Sequence, residues 1–253
     1  MNFLLILSHK KSTFREKQRQ HILTTNNGKF IFYYFIGDMS IQSDYLVDEP
    51  NNIVYLKVPD NYESLSLKTY YAMKFISEKY PNVTGVFKTD DDIDLDLDKL
   101  YTCINDNIDA PYFGNVVSNK SYSSTYHFGK CESPEMNVKQ ILIPDCTYCP
   151  GGGYYISKSS IGNILSNLKV FQEIIFEDVA VGVSMNKHNT YPLKVDIKQN
   201  GCSWDGTIDG VVDVGDGIMY FKIPNKVNTE ICACGAPKDR RISNFCKKCN
   251  KLY

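Results

Sequence analysis

The chain has 253 residues, 43% of them hydrophobic and 23% charged, with a net charge of −1. That is room for one sizeable core, or one core and a small appendage, in an ordinary globular protein. So small a charge gives no general attraction to polyanions, so nucleic acid is not expected as the main partner, and no stretch approaches the ~20 apolar residues of a membrane span.

Phe3–Leu7 reads as a buried strand. The basic residues Lys10 and Lys11 follow that apolar run rather than precede it, which is the wrong order for a signal peptide. A cytoplasmic protein is therefore expected, its nine cysteines held as thiols or metal ligands. A polar helical stretch runs from about Thr13 to Leu23. Asn26-Asn27-Gly28 is a turn, and Phe30–Ile36 is a second apolar strand ended by Gly37-Asp38. Ile53–Val58 is a third. Tyr62–Tyr80 spaces Leu65, Leu67, Tyr71, Met73 and Ile76 as an amphipathic helix does, and Pro81 stops it. Val83–Lys88 is a fourth strand and runs straight into Asp90-Asp91-Asp92.

Strands alternating with helices predict an α/β fold, with a parallel sheet covered by helices on both faces. Ligands of such sheets bind beyond the carboxyl ends of the strands, where the aspartates fall. The second half is more irregular. Tyr112–Val117 and Gln140–Ile143 read as strands, then come Gly151-Gly152-Gly153, a strand over Tyr154–Ser157, and helices near Ser159–Leu168 and Glu177–Lys187. Asp205-Gly206, Asp209-Gly210 and Asp216-Gly217 mark turns in a β-rich end.

A short acidic motif at a strand end suits a hard divalent cation, which binds carboxylate oxygens and leaves positions for phosphate. If the segment stays extended, Asp90 and Asp92 point the same way. A solvated acidic loop is the other reading, given Asp94, Asp96 and Asp98. An EF-hand fails, since the sixth position from Asp92 is Leu97 rather than Gly and the twelfth is Cys103 rather than Glu.

Five landmarks occur in one order. They are Arg15-Glu16-Lys17-Gln18-Arg19, Tyr62-Glu63-Ser64-Leu65-Ser66-Leu67-Lys68-Thr69, Phe87–Asp92, Tyr148-Cys149-Pro150-Gly151-Gly152-Gly153-Tyr154, and Phe176-Glu177-Asp178-Val179-Ala180-Val181-Gly182. Over roughly residues 3–190 the chain resembles glycosyltransferase family 31. That family holds β-1,3-galactosyltransferases, N-acetylglucosaminyltransferases and the Fringe enzymes, with an Arg-xxx-Arg element and the patterns "DSYxNLTLKT", "MKTDDD", "PYCSGTGY" and "xEDVYVG". The resemblance implies a GT-A fold, a Rossmann-like domain for nucleotide-diphospho-sugars, over residues 1–223.

It implies an inverting, metal-dependent hexosyltransferase using a UDP-sugar, galactose or N-acetylglucosamine first. The acceptor would be a glycan or glycosylated protein, and the product a β-1,3 bond. Asp90 and Asp92 would hold Mn²⁺ or Mg²⁺, with Asp92 the direct ligand and Asp91 beside them on the nucleotide-sugar. Asp178 would be the general base, although Glu177 and Asp178 equally suit the first turn of a helix. Arg15, Arg19 and Lys68 would complement the phosphates. Gly152 and Gly153 would let backbone pass close to the sugar, a plain tight turn being the alternative.

Two residue departures stand out. Gln20, His21 and Ile22 follow the second Arg where the family has Thr-Trp. The family also offers a histidine ligand near its C-terminal end, whereas the histidines here are His9, His21, His127 and His188. The third protein contact to the cation is then either absent or supplied by a carboxylate such as Asp205 or Asp209. Family members commonly work in the secretory pathway, so the expected cytoplasmic form implies a different acceptor.

Cys232-x-Cys234-Gly235 and Cys246-x-x-Cys249 are separated by eleven residues. Two close thiolate pairs suit tetrahedral Zn²⁺, so a small zinc ribbon is expected over residues 230–253. A tail of free thiols is the alternative. Cys149, inside its landmark, reads as a packing residue and Cys146 as incidental. Against the enzyme stands a catalytically inactive GT-A domain, acting as a carbohydrate- or protein-binding module targeted by its ribbon.

Overall fold

The computed structural model describes residues 1–204 and the short strands Val211–Asp213, Ile218–Tyr220, Phe245–Cys246 and Lys251–Leu252. Asp205, Asp209, the boundary between 223 and 230, and the side chains of Cys232, Cys234, Cys246 and Cys249 lie outside the described residues. The chain divides into two compact units, Met1–Ser121 with Pro144–Asp205 and Tyr122–Ile143 with Gly206–Tyr253.

The larger unit is built, in chain order, from β1 (Asn2–Leu7), α1 (Arg15–Thr25), β2 (Phe30–Gly37), β3 (Tyr45–Asp48), β4 (Ile53–Leu56), α2 (Leu65–Lys79) and β5 (Gly85–Asp90). Then follow α3 (Leu97–Asp106), β6 (Tyr112–Gly114), β7 (Gly153–Ser157), α4 (Lys158–Leu165), α5 (Leu168–Glu173), α6 (Glu177–Asn186) and β8 (Leu193–Lys194). The eight strands form one sheet in the order β8-β6-β7-β5-β1-β2-β4-β3.

Every residue of β1 is buried, as a central strand covered on both faces must be. Successive side chains alternate between the faces. Phe3, Leu5 and Leu7 join one core cluster with Ala72, Met73, Phe75 and Ile76 of α2 and Ala180, Val181 and Met185 of α6. Leu4 and Ile6 join the other, with Ile22 of α1 and Leu97, Leu100, Cys103 and Ile104 of α3. Each fully buried Leu, Ile or Phe contributes about 1.5–3 kcal/mol, so both covers hold the same strand in place.

The expected helices on both faces are present, but the sheet is mixed. β4, β2, β1 and β5 run parallel in register, Phe3 facing Ile31 and Val86. β7 runs antiparallel to both β5 and β6, and β3 antiparallel to β4. Side-chain alternation carries no direction, whereas connections do: a parallel neighbour needs a crossover, usually helical. α3 supplies that crossover between β5 and β6, while only short β-pairs and turns lie between β6 and β7, and the chain returns antiparallel.

Boundaries shifted too. The expected Tyr112–Val117 strand divides into β6 and Val117–Asn119, the latter pairing with Cys146–Tyr148. Tyr62–Ser64 is a 3₁₀ turn ahead of α2, capped where the Asn61 side chain accepts the Ser64 N–H at 3.1 Å. In the smaller unit Tyr122–Ser124 pairs with Ile141–Ile143, Val211–Asp213 with Ile218–Tyr220, and Phe245–Cys246 with Lys251–Leu252.

Candidate active site

The carboxyl ends of β1 and β5 lie side by side, Leu7 facing Asp90, so the residues that follow them meet. β5 ends at Asp90, and Asp91-Asp92 form a turn before Ile93–Leu95 resumes as a strand. The segment does not stay extended past Asp90, so the condition for Asp90 and Asp92 to point the same way is not met, and each aspartate has its own surroundings. Asp91 is buried, receiving the Ser8 hydroxyl proton on Oδ2 and donating its N–H to Leu7 O at 3.2 Å. Asp92 is exposed. Asp90 lies between, its side chain 38% exposed.

α1 clamps this turn. Gln18 Nε2 donates to Asp90 O at 3.0 Å and Ile93 O at 2.6 Å, and His21 Nε2 lies 2.7 Å from Leu95 O. The departure at His21 therefore still serves the acidic turn, through backbone.

Two of the three expected cations gather beside Asp91. Arg15 Nη1 donates to the same Ser8 Oγ at 3.1 Å and to His9 O at 2.7 Å. Lys68 is buried, with Nζ 2.8 Å from Ser8 O and 2.8 Å from Asp60 Oδ1. Burial lowers the Lys68 pKa against the pull of Asp60. Asp60 also receives the N–H groups of Lys10 and Gly37, at 2.7 and 3.0 Å. Burial opposes its charge, but Lys68 and those donors hold its carboxyl below the usual range. Arg19 goes elsewhere: Nη2 donates to Pro50 O at 2.6 Å, and Nη1 lies 3.4 Å from Glu16.

Lys88 is the centre of a second cluster. Its ammonium is buried, 2.8 Å from Asp90 Oδ1, 2.5 Å from Glu177 Oε1 and 2.6 Å from Gly151 O. Burial works against its charge, yet the two carboxylates outweigh it and its pKa rises. Burial also pushes Glu177 up to about 7, Asp178 raising it further and Lys88 holding it down, and the partly enclosed Asp90 carboxyl is raised too, with Lys88 pulling against its enclosure and Glu177 adding to it. Asp178 is half-buried on the first turn of α6. Its Oδ2 accepts the Gly151 N–H at 3.2 Å and its Oδ1 the Val179 N–H at 2.8 Å, while burial raises its pKa.

The glycine run is shaped by this packing. A Cβ on Gly151 would stand 2.9 Å from Glu177 Oε1, and one on Gly153 2.9 Å from Phe87 Cζ. Gly152 O accepts the Thr89 hydroxyl at 3.0 Å. Cys149 is buried, its thiol pushed up to about 12 by burial, in keeping with a packing role, and no disulfide joins the five described cysteines. Ser8, Asp60, Lys88 and Glu177 were not singled out as site residues from sequence. The available signal was position: Lys88 precedes the aspartates by two residues, and Glu177 adjoins Asp178.

The carboxylates of Asp90 and Asp92 fit a hard divalent cation that takes phosphate and water oxygens for its remaining positions. Asp90 keeps solvent access while Lys88 fixes its Oδ1. Among the described residues no group of three His, Cys, Asp or Glu side chains could hold a metal.

Residues 12–196 match the galactosyltransferase family. A UDP-GalNAc:β-1,3-N-acetylgalactosaminyltransferase 1 from Sus scrofa is 30% identical over 162 residues, 63% of this chain and 46% of the relative. Its Rattus norvegicus counterpart is 33% identical over 141 residues, 54% of this chain and 40% of the relative. The chain thus spans less than half the length of these relatives. A crystal structure of a glycosyltransferase involved in the glycosylation of the major capsid of PBCV-1 covers 77% of this chain and 81% of its own, at 11% identity and a TM-score of 0.39, a likeness too loose to argue from. With the family match spanning most of its length, the chain belongs to the galactosyltransferase family.

Proposed function

We propose that the protein is an inverting β-1,3-glycosyltransferase of the GT-A kind, moving a hexosyl group from a UDP-sugar to a hydroxyl of a glycan or glycosylated protein. The observation that carries the reading is the convergence of two carboxylates 88 positions apart in the chain, Asp90 bonded to the Lys88 ammonium and Asp178 to the N–H of Gly151, whose own carbonyl accepts from Lys88. One carboxylate keeps access for a cation, and the other stands half-buried for a base.

Asp90 and Asp92 would hold Mn²⁺ or Mg²⁺, which when bound neutralises the diphosphate leaving group. Arg15 and Lys68, beside Asp91, add fixed positive charge on the β1 side, and Lys68 is held under Ser8 by Asp60. Asp178 takes the proton of the acceptor hydroxyl as its oxygen attacks the anomeric carbon. The helix N-terminus and two N–H donors favour the ionised form it needs before the reaction. Galactose, N-acetylglucosamine and, from the printed activity of the relatives, N-acetylgalactosamine are the donors to try first. A zinc ribbon over residues 230–253 remains part of the proposal, carried by the cysteine spacing.

The test is UDP release with Mn²⁺ across a donor panel, for the wild type and Asp92→Ala. Metal-dependent release from one donor, reduced at least about a hundredfold in the variant, supports the reading. Release from no donor, together with no calorimetric binding of UDP in Mn²⁺, would favour an inactive binding module instead.

A further inference from the structure

The Lys88 ammonium touches three segments: it donates to Asp90 Oδ1 at the end of β5 and to Gly151 O in the loop before β7, and it forms an ion pair with Glu177 Oε1 at the start of α6, an oxygen that has no hydrogen bond of its own. Its side chain is 1% exposed, and it lies 5.7 Å from the Tyr154 ring centre, so it does not itself face a substrate. Yet every group it holds belongs to, or adjoins, a reacting part of the site. Asp90 belongs to the cation side. Glu177 precedes Asp178 in the chain, and Gly151 donates its own N–H to Asp178. The Cβ that any other residue would carry at position 151 would crowd both Glu177 Oε1, at 2.9 Å, and Lys88 Nζ, at 3.3 Å.

We propose that Lys88 is a positioning residue that fixes the separation and orientation of the cation-holding carboxylate and the Asp178 carboxylate. This rests on the reading of the site as a transferase. A buried ammonium directed at three segments is a rigid strut, and catalysis depends on such spacing: a misplacement of about 1 Å costs on the order of a hundredfold in rate. Simple charge neutralisation would need the positive charge alone. A strut needs the tetrahedral ammonium, which the planar fork of arginine does not reproduce.

Two variants separate these roles. Lys88→Arg keeps the charge. Lys88→Met with Glu177→Gln removes one positive and one negative group together, so the fold is not left with the buried Glu177 carboxylate facing no cation. For both, the melting temperature, the calorimetric affinity for UDP in Mn²⁺, and kcat and KM for the preferred donor are measured. The expected result is a melting temperature within a few degrees of wild type, UDP affinity within about fivefold, and kcat lower by about a hundredfold. A kcat within about threefold of wild type in either variant overturns the proposal. So does loss of UDP binding in step with kcat, which would make Lys88 a support of the cation side alone. Should the wild type bind UDP in Mn²⁺ but turn over no donor, the transferase reading fails first and takes this inference with it.

Discussion

Asp178 stands where α6 begins, with one oxygen on the Val179 N–H and the other on the Gly151 N–H. Those bonds and the helix dipole favour its charge, but burial outweighs them and the pKa goes up from the ordinary 3.8. A general base must be ionised to act, so activity falls as pH drops through that raised value. The acid limb of kcat/KM should therefore lie above the ordinary carboxylate range. Asp178→Asn should lower kcat by about 10²–10⁴-fold while calorimetric UDP affinity in Mn²⁺ stays within about threefold. An undiminished kcat would remove Asp178 from the mechanism.

Asp60 makes a different prediction at the same scale. It pairs with the buried Lys68 and accepts two backbone N–H groups, and its pKa is lowered. A depressed carboxylate contributes stability above its unfolded pKa and loses that contribution as pH falls through the folded value. Asp60→Asn should cost about 2 kcal/mol at neutral pH in urea unfolding, and its deficit should shrink as pH falls below about 4. A deficit independent of pH would mean that the loss is one of packing rather than charge.

Among elements, α6 matters most, because it carries Glu177 and Asp178 and packs one face into the core. It lies against the strand Cys146–Tyr148, fastened where Asn186 exchanges hydrogen bonds with the Thr147 N–H and C=O, at 2.8 and 3.0 Å. Gly182 makes the close approach feasible, since a Cβ there would overlap the Tyr148 Cβ and stand 3.0 Å from Thr147 O. Gly182→Ala should destabilise the protein by about 1–3 kcal/mol, read from urea unfolding, because backbone rather than a flexible side chain must give way. A neutral or stabilised variant would show that the helix shifts without strain.

At the scale of the whole molecule, the residues proposed for cation, nucleotide and base all lie within the unit Met1–Ser121 with Pro144–Asp205. Its two core clusters supply that unit's own burial. The four C-terminal cysteines follow that unit in the chain, their side chains outside the described residues. The purified full chain should carry about one zinc per molecule by elemental analysis. Stripping it with a chelator selective for zinc should leave UDP affinity in Mn²⁺ within about threefold. A zinc content near zero in metal-replete preparations would dismiss the ribbon.

Much of this was legible in the chain itself. The continuous apolar runs of β1 and β2, the helical spacing after Tyr62, and the aspartates at the end of a strand are local patterns, set by side-chain chemistry over a few residues. They place an acidic turn at the end of a sheet, and the order of five landmarks points to the family. Strand direction was not legible, because an apolar run reads the same both ways. Nor was the choice of partners. The chain holds 29 acidic residues, and no spacing rule says that Lys88 meets Glu177, that Lys68 meets Asp60, or that Arg19 turns to Pro50 instead of the aspartates. Such pairings join residues up to 89 positions apart and exist only after the core has packed. The sequence by itself determined which groups are available and on which elements they sit; the tertiary structure decided which of them share one ammonium, because a buried charge must take whatever counter-charge the packed sheet and helices bring within reach.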